Sequence, residues 1–158
     1  MIETFAIESN GLLEQTACYI NGKQLGGLKE LYINIDEAGI FDAIIQYEAE
    51  DKQIYTCRLF NVDKCNIKTV QPSFTEEEAS QLTLFEIESD GTLENTTFYF
   101  NSDELSEVVS LFIHIKAVIG DLGIKHLFKE PIISDKPIFK TEIVFRNDDG
   151  TLSTETIF

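Results

Sequence analysis

Apolar and polar residues alternate along short runs of this chain, and turns rich in glycine, asparagine and aspartate separate the runs. Alternation with period two places every second side chain on one face of a strand, so the pattern predicts a mainly β protein. The clearest runs predict strands over Leu28–Asp36, Phe41–Glu48, Ile54–Phe60, Val108–Lys116, Ile138–Arg146 and Leu152–Phe158. The turns Ala49–Lys52 and Asp148–Gly150 are short enough to predict antiparallel hairpins.

The pattern of the first part of the chain recurs 80 positions later. FAIESNGLLEQTACYINGKQL, residues 5–25, matches FEIESDGTLENTTFYFNSDEL, residues 85–105, at 11 of 21 positions without a gap. After an insertion, Tyr47–Phe60 aligns with Phe145–Phe158, now 98 positions later. We therefore predict an internal duplication within one domain, 1–158. Its parts are a first repeat (1–60), a connector with a short helix (61–83), and a second repeat (84–158) with an insertion at about 117–140.

The first hairpin of each repeat turns at Ser9-Asn10-Gly11 or Ser89-Asp90-Gly91. Glycine accepts a positive φ without steric cost, which favours a three-residue loop that sets Ile7 opposite Leu13. Glu8 and Glu14 then fall on the other face. About five strands per repeat follow from this interpretation.

Two segments carry helix signals. Thr75 precedes three glutamates and can cap a short helix in the connector. Asn101-Ser102-Asp103 could cap a helix running through Leu111, but the β-branched residues of Val108–Lys116 favour a strand there. In the insertion we expect a short helix or irregular loop followed by an extended segment.

The fold class is thus tandem-duplicated antiparallel β-hairpin units with one or two short helices. Two such repeats pack most simply about a pseudo-two-fold axis. Either a sandwich of two sheets or one sheet curled into a barrel satisfies the pattern.

The charge of the chain is strongly negative. Twenty-eight acidic residues face 12 lysines and arginines, giving a formal net charge of −16. Binding to nucleic acid or to anionic membranes depends on lysine and arginine, so neither is expected as a partner. A basic protein is the expected partner.

Cysteine usage and the N-terminal residues indicate a cytoplasmic protein. Cys18, Cys57 and Cys65 are odd in number and form no C-x-x-C pair, which is typical of a reducing compartment. The segment MIETFAIESNG lacks the basic and apolar regions of a signal peptide.

Catalytic and metal motifs are not recognisable in the sequence. His114 and His126 are twelve positions apart, and the cysteines have no zinc-ligand spacing. No nucleophile elbow or phosphate-binding loop occurs. We therefore expect no cofactor, no metal and no enzymatic activity.

Three functions are compatible with these features. The first is an acidic cytoplasmic protein that neutralises a basic partner, such as an immunity protein or an inhibitor of a nuclease-type toxin that mimics nucleic-acid charge. The second is a small-ligand-binding or enzymatic β-barrel, with Asn34 and His114 as the polar pair that would face a pocket. The third is a structural component of an assembly. For the first, the candidate partner-binding residues are Glu76, Glu77, Glu78, Glu88, Glu94, Asp148 and Asp149.

Overall fold

The structure is a computed structural model that describes residues 2–60, 64, 66–117 and 137–158. The strands before the connector are β1 (Glu3–Ser9), β2 (Thr16–Ile20), β3 (Lys23–Gly26), β4 (Leu28–Asp36), β5 (Phe41–Glu48) and β6 (Ile54–Arg58). The connector contributes β7 (Lys68–Val70) and helix α1 (Glu76–Ala79). The strands after it are β8 (Thr83–Ser89), β9 (Thr97–Phe100), β10 (Asp103–Glu104), β11 (Val108–Lys116), β12 (Ile138–Arg146) and β13 (Leu152–Thr156). Single 3₁₀ turns span Leu13–Gln15 and Leu93–Asn95.

The strands form two antiparallel sheets. The seven-stranded sheet has the order β10-β9-β8-β1-β2-β3-β7, and the six-stranded sheet has the order β13-β12-β11-β4-β5-β6. Both sheets contribute to one buried apolar core, for example Phe5 and Phe85 from the first sheet and Ile33 and Ile113 from the second. The mainly β fold class is therefore confirmed, and the arrangement is that of a sandwich.

Residues that are 80 positions apart lie symmetrically about the centre of each sheet. Ile33 pairs with Ile113 where β4 meets β11, and Ala6 pairs with Glu86 where β1 meets β8. These are the pairings that a two-fold axis between the halves produces. That the two halves arose by an internal duplication stays a prediction.

Most of the predicted strand bounds agree with the structure. The bounds of β4, β5, β11 and β12 are those that the alternation predicts, and the capped helix after Thr75 is present as α1. The edge strands β6 and β13 end two residues early, and the segment considered as a helix through Leu111 contains the end of β10 and the start of β11 instead. Each half also has a short strand, β3 or β10, that was not predicted, so that six strands replace the expected five. Most of the insertion at 117–140 lies outside the described residues.

The predicted register of the first hairpin is wrong. Ile7 lies opposite Cys18, not Leu13, because the loop continues through a 3₁₀ turn before β2 begins. A buried serine holds this wider loop: the Ser9 Oγ accepts from the Gly11 N–H at 3.0 Å and lies 2.7 Å from the Thr16 Oγ1. Ser89 makes the same bonds at 2.9 and 2.7 Å. Side-chain bonding of this kind leaves no trace in an alternation of apolar residues.

We predict that Ser9→Ala and Ser89→Ala each lower the free energy of unfolding by about 1–2 kcal/mol, since each removes two side-chain hydrogen bonds and leaves a part-buried glycine N–H without its acceptor. Urea denaturation measures the effect. Ser106→Ala, at an exposed position, is the control and should change the stability little. If Ser9→Ala and Ser106→Ala had the same free energy of unfolding, this role of the serines would be contradicted.

Candidate acidic interaction surface

Three carboxylates surround one tyrosine on the outer face of the seven-stranded sheet. Tyr99 lies on β9, opposite Glu86 of β8 on one side and Glu104 of β10 on the other. The Tyr99 hydroxyl donates a hydrogen bond to the Glu88 Oε1 at 2.8 Å. We call Glu86, Glu88 and Glu104 the acidic cluster.

Two pKa values at the acidic cluster are raised above their ordinary values. The hydrogen bond to Glu88, then burial and the charges of Glu88, Glu104 and Glu86, raise the pKa of Tyr99. Burial and the neighbouring Glu88 raise the pKa of Glu86. Within the described ranges, none of the three carboxylates forms a salt bridge with a lysine or an arginine. A cation brought to this face would therefore relieve repulsion as well as gain attraction.

The equivalent face of the first half carries less charge. The positions of Glu86 and Glu104 are occupied there by Ala6 and Gln24. The Gln24 side chain is covered by the connector: its Nε2 donates to the Ser73 Oγ at 2.8 Å, and its Oε1 accepts from the Ser73 N–H at 2.8 Å. Only Glu8 remains, bound by the Tyr19 hydroxyl at 2.5 Å. The acidic cluster is thus present in the second half and has no full equivalent in the first half.

The acidic residues predicted from the sequence do not all lie together. Glu88 belongs to the acidic cluster, whereas Glu94 lies in an exposed 3₁₀ turn. Glu76, Glu77 and Glu78 are exposed in α1, and the Glu78 carboxylate accepts the Thr75 N–H at 3.0 Å as part of a capping box. One of these three acids therefore has a structural role.

Asp148 and Asp149 lie in the exposed turn between β12 and β13 of the other sheet. The Asp149 Oδ1 accepts from the Thr151 N–H at 2.9 Å and from the Thr151 hydroxyl at 2.6 Å. These bonds lower the pKa of Asp149. The bonds to Thr151 fix the shape of the turn, while Asp148 is exposed beside it.

Asn34 and His114 do not face the interior of the sandwich. Both alternate with fully buried isoleucines, Ile33 and Ile113, and so lie on the outer face of the six-stranded sheet. The His114 Nε2 lies 2.6 Å from the Glu30 Oε2. The orientation of Asn34 and His114 therefore does not support the prediction that they are polar groups directed into a pocket.

Glu86 and Glu104 were not among the candidate residues predicted from the sequence, although a signal for both was present. The alignment of the halves sets Glu86 against Ala6 and Glu104 against Gln24, so both acids are specific to one half. Their proximity could not be predicted, because β10 was not predicted and the loop before β9 was given the wrong length.

Within the part of the chain that the structure describes, no group of three or more His, Cys, Asp and Glu residues could hold a metal ion. None of the described helices is long and apolar enough to cross a membrane. No protein-family model, curated protein or solved structure matches this chain.

We predict that Glu86→Gln stabilises the protein at about pH 7 more than at about pH 4. Because the pKa of Glu86 is raised above its ordinary value of 4.5, the folded state retains a proton that the unfolded chain has released. The contribution of Glu86 to the free energy of unfolding therefore falls as the pH rises through this window. Urea denaturation of both proteins at the two pH values measures the difference.

Glu94→Gln, an exposed acid outside the acidic cluster, is the matched control for this comparison. Subtracting its effect removes the general consequence of losing one negative charge. A Glu86→Gln effect that is the same at both pH values would contradict the uncompensated charge of the acidic cluster.

Proposed function

We propose that this chain is an acidic cytoplasmic binding protein that neutralises a basic protein partner, as an immunity protein or inhibitor of a nuclease-type toxin does. The observation that carries the proposal is the acidic cluster, which lies on an open sheet face and lacks a cationic counterpart among the described residues. The net charge of −16 acts in the same direction over longer distances.

The acidic cluster suits recognition of lysine and arginine side chains. A sheet face holds its side chains at fixed spacing, so the carboxylates do not have to be ordered when the partner binds. The Tyr99 ring lies among them and offers an aromatic surface to a cationic group. Complementary charge speeds the encounter, and a basic active site that is occupied in this way no longer accepts its polyanionic substrate.

A small-ligand-binding function is the alternative that one observation favours. Two grooves occupy equivalent positions in the halves, with volumes of about 450 Å³ beside Cys18 and about 310 Å³ beside Phe98. The smaller side chain of Cys18 leaves more room, and Leu25, Leu28 and Ile115 give that groove an apolar lining. Burial raises the pKa of Cys18 to about 12, so its thiol would contribute packing and not reactivity.

We predict that replacing Glu86, Glu88 and Glu104 by glutamine weakens binding to the basic partner by about tenfold or more at low ionic strength, and much less at high salt. The partner is first isolated from a lysate of the native host by affinity capture at low salt. Its affinity for each variant is then measured by calorimetry across a salt series.

The triple variant with Glu76, Glu77 and Glu78 replaced by glutamine is the matched control, since it removes the same number of charges from α1. The proposal expects this control to retain most of the affinity. If both triple variants bind equally well, or if affinity does not depend on salt, the acidic cluster is not the contact surface.

A further inference from the structure

The two halves differ at the outer edge of the seven-stranded sheet. In the first half, β7 of the connector pairs with β3, with Val70 opposite Gln24 and Lys68 opposite Gly26. Among the described residues of the second half, the equivalent strand β10 is the end of the sheet. We propose that β10 accepts an added strand from a basic protein partner, in the position that β7 occupies against β3. This inference rests on the proposed function and specifies how the partner binds.

Within the part of the chain that the structure describes, the core beneath this edge is covered in the first half and open in the second. Ile67, just before β7, packs against the core, and Tyr47 on the neighbouring sheet is 1% exposed. Phe145, the counterpart of Tyr47, is only partly buried. Ile20 packs against the core, whereas its counterpart Phe100 is 36% exposed.

A cavity of about 270 Å³ lies beneath the edge of the sheet in the second half. Its lining is mostly apolar and includes Phe85, Phe100, Leu105, Ile143, Phe145 and Ile157. A branched aliphatic side chain, placed as Ile67 is placed in the first half, would enter this space. We call the cavity and the adjoining edge of β10 the open groove.

The backbone of β10 is arranged for strand addition. The Leu105 N–H donates to the Phe98 carbonyl at 2.8 Å, so it points towards β9. Because N–H groups alternate in direction along a strand, that of Glu104 points away from the sheet. Its counterpart in the first half, Gln24, lies opposite Val70 of β7.

The connector also binds the neighbouring hairpin turn in the first half. The Glu50 N–H donates to the Asn66 carbonyl at 2.9 Å, and the Asn66 side chain donates to the Asp51 Oδ2 at 3.3 Å. Asp148 and Asp149 occupy the positions of Glu50 and Asp51 in the second half. An added strand would therefore meet these two acids at one end and the acidic cluster at the other.

Charge defines the chemistry of the added strand. At the edge, Lys23 and Gln24 of the first half are replaced by Asp103 and Glu104, which turns a basic strand into an acidic one. The acidic residues at the open groove repel an acidic strand and attract a basic one. The partner segment is thus an extended stretch that carries lysine or arginine and one aliphatic side chain. The connector itself has this composition, with Lys64 and Lys68 flanking Ile67.

The test uses a labelled synthetic peptide with the sequence of residues 64–71 and Cys65→Ser, added to the full chain. Fluorescence anisotropy should show saturable binding with a Kd of about 0.1 mM. Phe100→Asp in the protein should weaken binding by about tenfold or more. Ile44→Asp is the matched control, because Ile44 is also 36% exposed but lies on the other sheet; it should leave the Kd within about twofold.

Three results would overturn the proposal. The first is that the peptide does not bind at concentrations up to about 1 mM. The others are that the Phe100→Asp variant binds the peptide as tightly as the wild type does, or that a peptide carrying Ile67→Asp binds as tightly as the original peptide. Dimerisation of the chain that Phe100→Asp abolishes would assign the open groove to a second copy instead. If the partner still depends on the acidic cluster while Phe100→Asp has no effect on the peptide, strand addition fails and the proposed function stands.

Discussion

The antiparallel pairing of central strands with their own counterparts constrains the whole structure. β1 pairs with β8 in one sheet and β4 pairs with β11 in the other, both centred on residues 80 positions apart. Because counterpart strands pair at the centre of each sheet, the apolar faces of the two halves are continuous and form one core. The charge differences between the halves at Ala6 and Glu86 and at Gln24 and Glu104 lie on the outer face and edge of the seven-stranded sheet.

The differences at those edges are the basis of our functional interpretation. The halves differ where the outer strand meets the other sheet. The connector covers this position in the first half, through Ile67 and β7, and the second half has no equivalent segment among the described residues. The acidic cluster lies beside the uncovered gap and not beside the covered one. A basic strand from a partner would supply both the missing cover and the missing positive charge.

The fold could largely be predicted from the sequence because alternation determines which strand positions are buried. The bounds of β5 and β12 followed from it directly. The hairpin loop could not be predicted, since the hydrogen bonds of Ser9 and Ser89 set its length. Of the acidic cluster, Glu88 was predicted, while Glu86 and Glu104 approach Tyr99 only through strand pairing. The open groove was not predictable either, because it depends on which edge the connector covers.

Amide hydrogen exchange of the isolated protein, followed by NMR, tests most directly whether only one edge is closed. Gln24 lies opposite β7, whereas the N–H of Glu104 points away from the sheet. We predict that the Gln24 amide exchanges at least about a hundredfold more slowly than the Glu104 amide, since only hydrogen-bonded amides need local opening. Equal protection of the two amides would mean that both edges are closed, and it would contradict the account.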